Sequence, residues 1–178
     1  MQQSIHRFFI RSRSCLLVVM VCAMVFFLSA TASAQPAVTT VDRERARAAG
    51  DEADNWLLHG RTYDEQRFSP LSQINTDNVA QLSLAWYFET GTRRGLEASP
   101  IVVDGRMYTS GPWGVVFALD AKTGEQLWFY DPKVDKSRGF YACCDTVNRG
   151  VAVWDDNVYV ATLDGRLVAI NALSGQLE

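Results

Sequence analysis

Histidine and cysteine are scarce in this sequence, and their scarcity removes whole classes of chemistry. Two histidines and four cysteines among 178 residues leave no His-rich metal motif to assemble. Gly-x-Gly phosphate loops, a nucleophile elbow and a Cys-x-x-Cys-His haem attachment are missing as well. Long apolar runs are absent but for one, Cys15 to Leu28. It follows Arg7, Arg11 and Arg13 and precedes Ala32-Ser33-Ala34, the layout of a signal peptide over residues 1–34. The run falls short of the roughly 20 residues of a membrane span, and no cysteine stands at the cleavage point. The expectation is an exported protein with no stable membrane insertion after cleavage. Positive charge is also in short supply. Losing three leader arginines leaves 17 − 3 = 14 basic residues against 20 acidic ones, a balance near −6. That argues against nucleic acid and anionic lipid as partners.

Export also decides what the cysteines can be. Cys15 and Cys22 leave with the leader, so only Cys143 and Cys144 enter an oxidising compartment. Adjacent cysteines can bond to each other only by closing a small ring. One peptide bond holds their Cα atoms ~3.8 Å apart, below the usual ~4.4–6.8 Å of a disulfide, so the ring is strained and rigid. Two free thiols, two soft metal ligands or bridges to another chain are the other readings. The ring is the expectation adopted, since no nearby His or third Cys completes a metal set.

Residues 35–54 are polar, charged and rich in Ala and Arg, an N-terminal arm or surface helix (Val41 to Ala49) without visible chemistry. Residues 55–72 read as a loop packed by Trp56, Tyr63 and Phe68, with His59 structural or at the surface. Asn75-Thr76-Asp77 supplies N-cap chemistry for a helix of two turns, and the alternation of Leu84, Trp86 and Phe88 predicts a strand. From Glu97 onward, short β-rich runs are divided by Asp-Gly, Thr-Gly and Ser-Gly pairs, the punctuation of an all-β protein.

Those runs repeat. The stretch from Ala118 through Thr123-Gly124 to Leu127 has its partner from Ala169 through Ser174-Gly175 to Glu178, a shift of 169 − 118 = 51 residues. At that shift Asp104 meets Asp155, Tyr108 meets Tyr159 and Gly114 meets Gly165, without a gap. A four-strand unit of this size is a propeller blade. Strands near 100–103, 106–110, 114–119 and 125–130 form one blade; those near 150–154, 157–161 and 165–170 begin a second, whose fourth strand starts at Gln176. Trp86 takes the role of Trp128 for a blade whose other strands are absent. Residues 55–178 therefore read as a partial β-propeller, the N-terminal portion of a larger ring.

Repeat phase also places the candidate site. Since 149 − 51 = 98, Glu97 and Arg149 occupy neighbouring positions where the first strands of successive blades begin. The loop 131–148 brings Cys143 and Cys144 to the same end. Glu97 as a solvated edge charge, and Arg149 paired with Asp145, are the plainer alternatives.

These residues resemble the pyrroloquinoline quinone (PQQ) dependent alcohol dehydrogenases, the periplasmic quinoproteins. The likeness rests on Ala-x-Asp-x-x-Thr-Gly-x-x-x-Trp at 118–128, Phe68-Ser69-Pro70-Leu71 with Ala85-Trp86, Leu96-Glu97-Ala98-Ser99-Pro100, and Ala142-Cys143-Cys144-Asp145 with Asn148-Arg149-Gly150. It covers roughly 55–178 and comes nearest to the quinohaemoprotein branch. The resemblance implies an eight-bladed propeller that holds PQQ and calcium near its axis. It further implies a Cys143–Cys144 disulfide against the quinone face, with Glu97 and Arg149 as cofactor contacts. The expected reaction is oxidation of an alcohol to an aldehyde by hydride transfer to the quinone. A cytochrome c or another periplasmic protein would accept the electrons, and haem c would belong to a further C-terminal domain. The catalytic base and the calcium ligands are expected beyond Glu178. The competing expectation is a non-enzymatic propeller acting as a binding scaffold in the cell envelope.

Overall fold

The turns make the repeat physical. In the computed structural model, which describes residues 40–178, one Asp or Asn side-chain oxygen organises each Thr-Gly or Ser-Gly turn. Asp120 Oδ1 accepts from the Lys122 and Thr123 amides at 3.0 and 2.8 Å and from the Thr123 hydroxyl at 3.0 Å. Asn171 Oδ1 does the same for Leu173, Ser174 and the Ser174 hydroxyl at 3.1, 3.0 and 3.1 Å. Asx turns of this kind let a short polar side chain stand in for the ladder the strands have just left. The signal peptide expected over 1–34 lies outside the described residues.

Between these turns run the strands. β1 (Ile101–Val103), β2 (Arg106–Ser110), β3 (Val116–Asp120) and β4 (Gln126–Tyr130) form an antiparallel meander in the order β1-β2-β3-β4. β5 (Ala152–Trp154), β6 (Asn157–Ala161) and β7 (Leu167–Asn171) repeat it in the order β5-β6-β7. Tyr108 lies opposite Ala118, and 51 residues on Tyr159 lies opposite Ala169. The fourth strand of the second sheet is reduced to a single bridge, Ile170 to Leu177. The fold is the all-β, partial propeller expected.

Period-2 valines and isoleucines face inward and make one core from both sheets: Ile101, Val103, Val116, Val158, Val160 and Ile170 are all essentially inaccessible. Tryptophan seals the seam. An added Cβ on Gly175 would lie 2.7 Å from the Trp128 ring, and one on Gly124 would lie 2.4 Å from that of Trp86. Both glycines also have positive φ, 72° and 75°, so the position excludes a side chain twice over. Trp128 Nε1 donates to the Ala172 carbonyl at 2.9 Å, and Tyr108 Oη donates to the same oxygen at 3.2 Å. Trp86 thus docks on the first sheet as Trp128 docks on the second.

Before β1 the chain departs from expectation in four places. The arm is not a surface feature: Val41, Ala46 and Ala49 are buried in the shared core. Helix α1 spans only Arg43–Arg47, capped by Asp42, whose Oδ1 accepts from the Arg45 amide at 2.8 Å. The Asp155 amide donates to the Val41 carbonyl at 2.9 Å, and Arg45 bridges Glu52 at 2.8 Å and Asp104 at 2.7 Å, so the segment clasps both sheets. Tyr63 and Phe68 face solvent, and it is Leu57 that fills the core. The helix after Asn75 is one 3-10 turn, Val79–Gln81, because no apolar face holds so short a helix in place. Residues 84–88 carry no ladder among the described residues, since a strand needs a neighbour to pair with.

Candidate functional site

Strands β1 and β5 start side by side. Ser99 and Gly150 form a parallel bridge, and the Ser99 amide donates to the Arg149 carbonyl at 3.3 Å. Gly150 permits the approach: its φ is 136°, and a Cβ there would lie 3.1 Å from the Ser99 carbonyl oxygen. The residues flanking the bridge are Glu97 and Arg149, and their side chains meet, Arg149 Nη2 to Glu97 Oε2 at 3.3 Å. Both remain open to solvent, 69% for the arginine and 45% for the glutamate, so neither is used up by the other. An exposed pair of this kind adds at most about 1 kcal/mol to folding. Its value is chemical: a guanidinium beside a carboxylate, at a strand end.

The loop from Asp131 to Asn148 brings the cysteines to the same face. Its base is firmly tied. Arg166 Nη2 donates to the Pro132 carbonyl at 2.7 Å, the Trp113 amide to the Thr146 carbonyl at 2.8 Å, and Ser110 Oγ to Asn148 Oδ1 at 2.6 Å. Asn148 Nδ2 donates to the Ala161 carbonyl at 2.9 Å, stitching the loop to β6. From this base the tip projects outward, with Phe140, Tyr141, Cys143 and Cys144 all exposed.

The expected disulfide is not closed in this structure; Cys143 and Cys144 are free thiols. A side-chain hydrogen bond with Cys143 holds the Cys144 thiol above its ordinary range, and the nearby charge of Arg149 pulls the other way. The same balance places Cys144 within the electrostatic reach of both Arg149 and Glu97. Cys144 thus stands near the Arg149–Glu97 pair, with Cys143 next to it in the chain. Asp145 is paired, but with Arg94 and not with Arg149. Among the described residues no cluster of His, Cys, Asp or Glu could hold a metal ion, and no helix is long and apolar enough to cross a membrane.

Two contributors escaped the sequence reading. Arg94 salt-bridges Asp145 and lies 5.7 Å from the centre of the Trp113 ring, and Trp113 underlies the loop. The only sequence signal was a mismatch: since 164 − 51 = 113, the repeat aligns Trp113 with Asp164, an ordinary turn residue.

Repeated antiparallel blades, sealed by tryptophan on glycine, with a charged pair where the first strands begin, define part of a β-propeller. Residues 56–178 match the PQQ family, described as the glucose/ethanol/alcohol dehydrogenase, beta-propeller domain, and the chain belongs to that family. It is 60% identical over 136 residues to quinohemoprotein alcohol dehydrogenase ADH-IIG of Pseudomonas putida, covering 76% of this chain and 19% of that protein. The solved structure of ADHIIG from Pseudomonas putida HK5 superposes with a TM-score of 0.77 at 58% identity, over 79% of this chain and 20% of that one. The 1-butanol dehydrogenase (cytochrome c) of Thauera butanivorans is 53% identical over 129 residues, 72% of this chain and 18% of that protein. The chain spans about a fifth of the length of these relatives.

Proposed function

We propose that this chain forms the N-terminal part of a periplasmic, PQQ-dependent alcohol dehydrogenase, and that its contribution is one side of the cofactor site. The observation that carries the reading is the Arg149–Glu97 contact at 3.3 Å beside Cys143 and Cys144, held by the Ser99–Gly150 bridge. The residues fit the group. PQQ is a flat polyacid, and Arg149 offers a half-free guanidinium for charge-assisted hydrogen bonds, while Glu97 can accept from the cofactor's ring N–H. Cys143 and Cys144, exposed on a loop tied at its base, offer a stiff apolar surface for a flat ring once oxidised to the vicinal disulfide. PQQ supplies the two-electron acceptor for the alcohol's hydride.

The residues of this chain bind and orient; none is assigned the proton transfer. Arg149 anchors the polar edge of the ring and favours negative charge growing there during reduction. Its contact with Glu97 biases the guanidinium toward the strand starts, and the tied loop limits the distance between the sulfur pair and the strand ends. Calcium, the catalytic base and any haem are left to other parts of the enzyme. The name of the butanol dehydrogenase relative supports a cytochrome c as electron acceptor.

The test is alcohol turnover by the full-length protein. Apoprotein reconstituted with PQQ and calcium should oxidise short alcohols with an artificial electron acceptor, and omission of PQQ should abolish the rate. Equal turnover with and without PQQ, or none with it, would refute the reading.

A further inference from the structure

Tryptophan in a left-handed conformation needs a reason, because a bulky residue at positive φ is a genuine outlier. Trp113 has φ 68° and ψ 10° in the turn between β2 and β3. The repeat supplies its own control. The aligned turn between β6 and β7 carries Asp164, absent from the non-glycine residues at positive φ. The first blade therefore puts a strained indole where the second blade uses a common turn residue.

The indole is spent on the cysteine loop. An added Cβ on Gly139 would lie 2.6 Å from Trp113 Cη2, so the loop backbone rests directly on the far edge of the ring. Lys136 Nζ lies 4.2 Å from the ring centre and Arg94 Cζ 5.7 Å from one, two cations held by one aromatic. Arg94 then reaches Asp145, next to Cys144, and the Trp113 amide holds the Thr146 carbonyl at 2.8 Å. Contacts at Lys136, Gly139, Asp145 and Thr146 bracket the cysteine pair from both sides. The turn at Asp164 is held differently: its carboxylate binds its own neighbours Thr162 and Arg166, and Arg166 reaches the loop at Pro132, outside the stretch 136–146.

We propose that Trp113 is a positioning residue: its strained turn seats the loop 136–146 and thereby fixes where Cys143 and Cys144 stand relative to Arg149 and Glu97. The inference rests on the cofactor reading for its purpose, but the seating of the loop is testable without cofactor. Ring and loop are coupled, so a change in one should be compensated by a matching change in the other.

The experiment uses full-length apoprotein and trypsin, read at two bonds. Lys136–Ser137 reports the loop, and Lys122–Thr123, in the turn between β3 and β4, reports the blade. Trp113→Ala should speed cleavage at Lys136 about tenfold while Lys122 is cut at the wild-type rate. Gly139→Ala, which drives a methyl group into the ring, should also expose Lys136, and adding Trp113→Phe should restore protection by making room. In a parallel titration, Trp113→Ala should weaken PQQ binding about tenfold, a loss of about 1.4 kcal/mol. Unchanged cleavage at Lys136, equal acceleration at both bonds, or failure of the double variant to recover would overturn the proposal. So would unaltered PQQ affinity in Trp113→Ala. If wild type itself does not bind PQQ, the cofactor reading falls, while the proteolysis still decides the role of Trp113 in the loop.

Discussion

The seam between the blades and the cysteine loop use tryptophan in opposite ways. Trp128 is buried, repeats the role of Trp86 and meets a glycine in the next blade's turn. Trp113 is half-buried, breaks the repeat and meets a glycine within an extended loop. The seam serves stability: its partners are main-chain atoms and core side chains, and its glycine recurs after 51 residues. The loop serves placement, and its partners are charges and a strained backbone found once. Folding energy and site geometry are thereby separable, and substitutions should divide along the same line.

The largest effect is expected at the seam. Trp128→Ala removes the ring that packs on Gly175 and Tyr108 and the donor to Ala172, and should destabilise the full-length protein by about 3–5 kcal/mol in denaturant unfolding. A loss below about 1 kcal/mol would erase the distinction between seam and loop. Next comes the glycine on the other side. Gly175→Ala and Gly105→Ala both place a side chain at positive φ, 72° and 79°, but only Gly175 faces the Trp128 ring; nothing lies within 4 Å of Gly105. Gly175→Ala should therefore cost about 1–3 kcal/mol more than Gly105→Ala. Equal costs would assign the glycine requirement to backbone conformation alone.

A smaller effect comes from pH. Burial pushes the Tyr108 hydroxyl up to about 12. Its folded-state value lies above that of the unfolded chain, so the folded state holds the proton longer and stability falls as pH rises from about 10 to 12. The slope should be about 1.4 kcal/mol per pH unit, seen as a falling unfolding midpoint, and Tyr108→Phe should remove it. A wild-type slope that survives Tyr108→Phe would mean that another group titrates.

What the sequence made legible follows the same division. The 51-residue repeat located every strand from β1 to β7 within a few residues, because turn chemistry at Asp120 and Asn171 and alternation in Val116–Asp120 and Leu167–Asn171 are local properties. The meeting of Glu97 with Arg149 was legible too, since repeat phase converts into strand adjacency. Residues 40–83 were not, because such order as they have comes from distant partners. Val41 is buried by pairing with Asp155, and Arg45 is half-buried where it reaches Asp104, neither of which leaves a periodic mark. Trp113 was invisible for a related reason: in sequence it is one more aromatic, and only its φ and its contact with Gly139 reveal its task. The state of Cys143 and Cys144 depends on oxidation, which spacing does not fix.

The central claim is that the face at the strand starts is a cofactor site, and Arg149 is its most direct probe. Titrating full-length apoprotein with PQQ, wild type against Arg149→Ala, should show saturable binding weakened by about 10–100-fold in the variant, the loss of a charge-assisted hydrogen bond of about 1.5–3 kcal/mol. The unfolding midpoint should stay the same, because the arginine is largely exposed. Matched affinities for PQQ in the two proteins would contradict the account.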